Sequence, residues 1–232
     1  MIATVKELLE NGCHFGHPTK KWNPKMKKFI FTKRGGIYII DLAKTVVQLT
    51  KAYYFLKDAA SEGKTFLIVG TKRHTRDIIK NEAKKAGIHF VVERWIGGLF
   101  TNFSVIRNRI DYMLQLEKMF NEGVMNNLPK KVAKKYQKEL EFLQVEYEGL
   151  RDMYRIPDVV LIVDVRREVI AIEEAKKMGL TVVGIVDTDG NPDLVDLPIP
   201  SNDDAFKSVQ YMVGKLTDAI VEGKTIYQSK TA

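Results

Sequence analysis

Residues 157–187 read PDVVLIVDVRREVIAIEEAKKMGLTVVGIVD, and this stretch decides the fold. Val159–Val163 is an unbroken apolar run of strand length, and Thr181–Val186 is a second. Between them, Glu168–Met178 reads as a helix that stops at Gly179. Strands without polar alternation are covered on both faces, and a helix between two of them is the crossover of a parallel sheet.

The same alternation extends outward. Thr65–Val69 predicts a strand, followed by a helix to a stop at Gly87, and Ile88–Val92 predicts another strand. Downstream, Asn202 or Asp203 caps a last helix to about Glu222, and the polar tail from Lys224 is expected to be loose. Upstream, Thr4-Val5-Lys6-Glu7 has the form of a capping box, with a stop at Asn11-Gly12. Phe29–Thr32 and Ile37–Ile40 read as a hairpin around Lys33-Arg34-Gly35-Gly36. Asp41 then caps a long helix to about Glu62, ended by Gly63.

From Ser104 to Glu148 no strand appears. Ile106, Ile110, Met113, Leu116 and Phe120 form one helical stripe, and Val132, Tyr136, Leu140, Leu143 and Tyr147 form another. Pro129 suits the first turn of the second helix, and the short link predicts an inserted antiparallel hairpin. The chain thus divides into an α/β domain (1–103 and 149–223), a hairpin (104–148) and a tail (224–232).

Composition bounds the partners. The 232 residues are 45% hydrophobic, enough for a core, and carry a formal charge of +8, which favours an anionic partner. Cys13 is the one cysteine, so no internal disulfide forms, as suits a reducing compartment. No run approaches membrane-span length, and the first residues lack a signal-peptide pattern; a soluble intracellular protein is expected.

The charge is concentrated. Between Glu10 and Asp41 there is no acidic residue, yet Lys20, Lys21, Lys25, Lys27, Lys28, Lys33 and Arg34 lie there with Phe15, Trp22, Phe29 and Phe31. Crowded cations are relieved by a polyanion, and interleaved rings offer stacking faces for bases or riboses, so nucleic acid is favoured over a solvated loop. Lys130, Lys131, Lys134, Lys135 and Lys138 make like-charged i,i+4 pairs. Two readings stand for them: phosphate contacts, or a solvated helix balanced by Glu139, Glu141, Glu146 and Glu148.

Gly70-Thr71-Lys72-Arg73-His74 follows a strand and opens a helix, so backbone N–H groups with Lys72, Arg73 and Arg76 predict an anion site. With no G-x-G-x-x-G, a phosphate contact is favoured over a nucleotide pocket. Gly-Lys-Thr at 63–65 and at 223–225 lacks the earlier glycine of a P-loop. In Arg94–Phe103 (RWIGGLFTNF), Trp95, Leu99 and Phe103 read as packing on the sheet, with Asn102 or Ser104 capping the next helix. His14 and His17, with late acids including Asp187, Asp189, Asp203 and Asp204, have the chemistry of a divalent-metal site, though phosphate or backbone contacts are the simpler reading of both histidines. No catalytic constellation is present. Two rivals remain: a Rossmann-type nucleotide enzyme using the Gly70 turn, and a protein-binding scaffold using Tyr136 and Tyr147.

Taken together, GCHFGH (12–17), WNPKM (22–26), GIYIIDL (36–42), VGTK (69–72), RWIGGLFTNF (94–103), Pro157-Asp158, Ile185–Asp187 and PSNDDA (200–205) closely resemble the S-two family of bacterial small-subunit ribosomal proteins. The resemblance implies a Rossmann-like (flavodoxin-like) domain with a projecting coiled-coil hairpin. It implies a structural, non-catalytic, cytoplasmic role on a ribosome, bacterial or organellar, without a membrane or self-association. The expected partners are small-subunit ribosomal RNA in head and body and neighbouring proteins including S-one, whose docking it supports, with a late part in assembly. The expected RNA contacts are Lys20, Lys21, Trp22, Lys25, Lys27, Lys28, Lys33, Arg34, Lys72, Arg73, Arg76, Arg94, Lys130, Lys131, Lys134 and Lys135, with Phe29 or Phe31 as further stacking rings. No cofactor is expected beyond a divalent metal at His14, His17, Asp189 and Asp204. Cys13, Ile96, Ser201 and the VDTDGNPD loop (186–193) depart from the family pattern.

Overall fold

The chain opens with the predicted capping box. In the computed structural model, which describes residues 2–231, the Thr4 hydroxyl accepts from Glu7 N and the Glu7 carboxylate accepts from Thr4 N. Helix α1 (Val5–Glu10) follows and ends at the left-handed Gly12. Strands β1 (Phe15–Pro18), β2 (Ile30–Arg34) and β3 (Ile37–Ile40) form an antiparallel sheet in the order β1-β3-β2. The predicted hairpin is β2–β3, turning on Gly35 (φ 58°) and Gly36 (φ 79°), where an L side chain would be strained. Phe-Gly-His-Pro has no alternation to announce β1, which is placed by pairing with β3. Between β1 and β2, a 3₁₀ turn at Pro24–Phe29 buries Met26 and Phe29.

Asp41 caps α2 (Leu42–Ser61), its carboxylate accepting from Ala43 N and Lys44 N. There follow β4 (Phe66–Val69), α3 (Arg76–Ala86), β5 (His89–Val91), α4 (Phe103–Asn121), α5 (Lys130–Tyr147), β6 (Val159–Val163), α6 (Val169–Lys177), β7 (Thr181–Val186), β8 (Leu197–Pro200) and α7 (Phe206–Thr231). Strands β5-β4-β6-β7-β8 form one parallel sheet. In chain order this is 2-1-3-4-5, the flavodoxin-like arrangement, with its switch point between β4 and β6. The fifth strand, Leu-Pro-Ile-Pro, is not legible as a strand. It stands at the sheet edge, where proline's missing N–H leaves no neighbour unpaired.

Alternate strand residues feed two cores. Phe66, Ile68, Val159, Leu161 and Val163 pack with α1, α2, α3 and α7. Leu67, Val69, Val160 and Ile162 pack with α6, α4 and α5. The two consecutive helices therefore share the domain's own core: Ile106, Ile110, Met113 and Leu116 of α4, with Leu140, Leu143 and Tyr147 of α5, are buried in it.

The tail expected to be loose from Lys224 is instead the end of α7. Lys224 Nζ donates to Ala86 O (2.9 Å) and Gly87 O (2.7 Å), satisfying carbonyls that α3 leaves open at its end. Gly223 permits close approach to α2, because a Cβ there would lie 2.2 Å from Lys57 O. No helix among the described residues is long and apolar enough to cross a membrane.

Candidate nucleic-acid interface

The crevice at the switch point is filled by the chain itself. Lys72, just beyond β4, places Nζ 2.6 Å from Asp203 Oδ1, 2.6 Å from Asp204 Oδ1 and 2.9 Å from Asp164 Oδ2. Asp164, just beyond β6, has φ 73°, the one positive value outside glycine among the described residues. Burial works against the Lys72 charge, but Asp203, Asp164 and Asp204 outweigh it and hold the ammonium well above its ordinary value. Burial, with Asp187 and Asp164 nearby, pushes the Asp203 carboxyl well above the carboxylate range. Glu168, also raised by burial, accepts from Thr71 N (3.0 Å) and Thr71 Oγ1 (2.6 Å).

The N–H group and ammonium predicted to cradle an external phosphate are thus met internally by carboxylates. Helix α3 starts only at Arg76, whose guanidinium pairs with Glu93. Of the predicted trio, Arg73 is exposed, and no carboxylate pairs with it among the described residues. A phosphate entering here would face Asp164, Glu168, Asp187, Asp203 and Asp204, so the crevice does not suit a nucleotide.

The small N-terminal sheet is docked on this edge. His17 N donates to Thr188 Oγ1 (2.7 Å), Asn23 N to Thr188 O (2.8 Å) and Asn202 Nδ2 to Phe15 O (2.7 Å). Gly16 is required by the fit, since a Cβ would lie 2.4 Å from Thr188 Cγ2. His17 Nδ1 is 3.2 Å from Asp187 Oδ2, and Nε2 is 3.3 Å from Asp204 Oδ2 and 3.5 Å from Asp189 Oδ2. Its contact with Asp187, reinforced by Asp189 and Asp203, pushes the imidazole up to about 9. His17, Asp187 and Asp204 bring ligand atoms within 4.8 Å of one another. One imidazole and two carboxylates fit a divalent cation of the zinc or manganese kind. His14 is not in this group; it stacks on Phe15 with centroids 3.9 Å apart.

The basic segment runs from the end of β1 through the Pro24–Phe29 turn to the β2–β3 hairpin. Lys20, Lys21, Lys27, Lys33 and Arg34 are exposed, and among the described residues no carboxylate pairs with them. Lys25 (2.9 Å) and Lys28 (3.4 Å) share Asp193. Trp22 is half-buried against Tyr38, centroids 4.9 Å apart. Phe31 is 73% exposed. Phe29, expected as an external ring, is 6% exposed and belongs to the core beside Met26.

The second basic group lies on α5. Lys130, Lys131, Lys134, Lys135 and Lys138 are exposed on α5, and no carboxylate pairs with them among the described residues. The glutamates that would balance them are engaged elsewhere. Glu139 lies 3.8 Å from Arg109, Glu141 accepts from Gln137, Glu146 pairs with Arg94, and Glu148 pairs with Lys80 and Lys84. Arg94 is therefore taken up by α5, with its guanidinium also over the Phe142 ring.

The loop before α4 is packed, as its sequence suggests, but by an unforeseen residue. Leu99 and Phe100 are buried, and Trp95 meets Phe100 edge-on at 5.0 Å. Asn102 makes no side-chain capping bond; the loop's donors converge on Glu174 of α6. Glu174, Glu168, Asp193, Thr188 and Asn202 organise these sites without a local signal. Their partners lie far along the chain, and each reads alone as an ordinary surface or cap residue.

The chain is similar over most of its length to proteins of one family. The family model described as Ribosomal protein S2 matches residues 8–223. A protein of Dictyoglomus turgidum named Small ribosomal subunit protein uS2 is 51% identical over 226 residues, covering 97% of this chain and 92% of its own length. Proteins of the same name from Coprothermobacter proteolyticus (50% over 223 residues) and Microcystis aeruginosa (47% over 223 residues) each cover 96% of this chain, and 83% and 84% of their own lengths.

Proposed function

Because the chain belongs to the ribosomal protein S2 family, and is thus a structural constituent of the small ribosomal subunit rather than an enzyme, we propose that it grips ribosomal RNA electrostatically through two basic surfaces. One is the segment Lys20–Arg34, with Trp22 and Phe31 as stacking rings. The other is Lys130–Lys138 on α5. The observation that supports this is the allocation of partners. Nearby carboxylates pair with Lys72, Arg76, Arg94 and Arg109, whereas the lysines of both surfaces, Lys25 and Lys28 excepted, are exposed with no carboxylate partner among the described residues. Such cations bind phosphates by releasing counterions, and exposed rings add sequence-tolerant stacking. Lys72 then acts within the protein, Arg94 ties the loop before α4 to α5, and Arg73 is the RNA contact left at the Gly70 turn.

On this reading, association with ribosomal RNA and neighbouring proteins is the whole of the activity, carried out by a single copy in the cytoplasm. A position between head and body, a late role in assembly and support for the S-one protein are the finer parts of the proposal. His17, Asp187 and Asp204, with Asp189 beside them, would hold a divalent cation that neutralises the crevice and clamps the N-terminal sheet to it.

The test is ribosome occupancy. With Lys20, Lys21 and Lys27 all replaced by Ala, the protein should leave the small subunit on a sucrose gradient at a salt concentration that the wild type withstands. Equal occupancy at every salt concentration would overturn the assignment of the first surface.

A further inference from the structure

Glu174 stands on the outer turn of α6, yet its carboxylate serves a loop some seventy residues earlier. Oε1 accepts from Trp95 Nε1 (3.0 Å) and Gly98 N (2.8 Å). Oε2 accepts from Phe100 N (3.2 Å), Thr101 N (3.3 Å) and Thr101 Oγ1 (3.2 Å). Burial works against the charge, but these donors prevail and hold the carboxyl below its ordinary value. Gly98 lies at φ 87°, which turns its N–H inward.

The converging donors form an anion cradle just ahead of a helix. The helix is α4, beginning at Phe103 with Asn102 making no side-chain cap; Glu174 bonds the loop just ahead of it, up to Thr101, and so holds a negative charge near this end. Immediately before the cradle, Arg94 pairs with Glu146 of α5. The loop is therefore fastened to α5 at its start and to α6 through its middle, and α4 leaves from its end.

We propose that Glu174 is a positioning residue for RNA binding: by filling this cradle it fixes the α4–α5 pair on the α/β core, and so sets where Lys130–Lys138 stand relative to Lys20–Arg34. The inference rests on the reading that both surfaces contact RNA. Two sites on a rigid body bind one RNA more tightly than either does alone, and the gain is lost when their geometry no longer matches. Loosening the anchor should therefore weaken two-site binding and leave one-site binding intact.

The experiment compares wild type, Glu174→Ala and Glu174→Gln, the last preserving volume and one acceptor oxygen. The first readout needs no RNA: solvent exchange of the Trp95 indole proton by NMR. Exchange should quicken by about tenfold or more in Glu174→Ala, less in Glu174→Gln, and added acetate should slow it in the Ala variant by refilling the cradle. The second readout is affinity for two RNAs, a small-subunit fragment long enough to span both surfaces and a short one that occupies one. The long RNA should bind about tenfold more weakly to Glu174→Ala, and the short one within about twofold of wild type. Unchanged indole exchange overturns the anchor. Faster exchange with undiminished long-RNA affinity overturns the positioning role. A wild-type protein that binds neither RNA overturns the RNA reading, and the positioning role with it.

Discussion

Lys72 Nζ stands 2.6 Å from Asp203 Oδ1 in the crevice where a flavodoxin-like sheet ordinarily receives its ligand. Both side chains are nearly enclosed, 14% and 2% exposed. Removing one member of a buried pair strands the other, so Lys72→Met should lower the free energy of unfolding by about 3–5 kcal/mol. The exposed Arg73→Met should change it by no more than about 0.5 kcal/mol. Urea unfolding of both variants checks this; equal effects would mean that Lys72 is not a structural cation.

The His17 contact makes the N-terminal sheet sensitive to pH. The imidazole rises from its ordinary 6.5 to about 9 in the folded, metal-free protein. A raised folded value means that its contribution is fully present below about pH 6.5 and is lost as pH climbs through about 9. Thermal melts in chelator should therefore show wild type losing an advantage over His17→Gln across that window. A constant difference between the two from pH 6 to 9.5 would contradict the assigned contact.

Close packing of α7 on α2 yields a third prediction. A Cβ at Gly223 meets Lys57 O at 2.2 Å and Ala60 Cβ at 2.5 Å. Because backbone must shift, Gly223→Ala should cost about 1–3 kcal/mol despite alanine's better helix propensity. Gly214, also on α7 but facing open space, should gain from the same change. Paired denaturation curves decide whether the two glycines respond with opposite signs.

These cases show where sequence is informative. Apolar runs such as Val159–Val163 and caps at Thr4, Asp41 and Gly87 act through neighbours in the chain, so the parallel sheet and most helix ends are legible. Strand β8 is hidden because Pro198 and Pro200 are acceptable only at an edge, and the edge is a tertiary fact. The end of α7 looks like a polar tail until Lys224 meets Ala86 O and Gly87 O. At the interface, the lysines are visible from charge alone. Which of them are already neutralised depends on acids such as Asp203, 131 residues beyond Lys72.

The α5 lysines should show function opposing stability. Lys134 has like-charged neighbours one turn away on both sides, Lys130 and Lys138. Lys134→Gln should raise stability by a few tenths of a kcal/mol per relieved pair, about 0.5 in all, while weakening RNA binding. Destabilisation together with unchanged RNA affinity would return this helix face to a merely solvated role.

The most direct measurement is equilibrium binding of small-subunit ribosomal RNA across a series of salt concentrations. The two-surface account predicts that log affinity falls linearly with log salt, and that replacing Lys20, Lys21 and Lys27 lowers the slope by about 0.7–0.9 for each phosphate contact removed. Replacing Lys130, Lys134 and Lys135 should lower it separately and additively. A slope unchanged by both triple replacements would contradict the electrostatic grip.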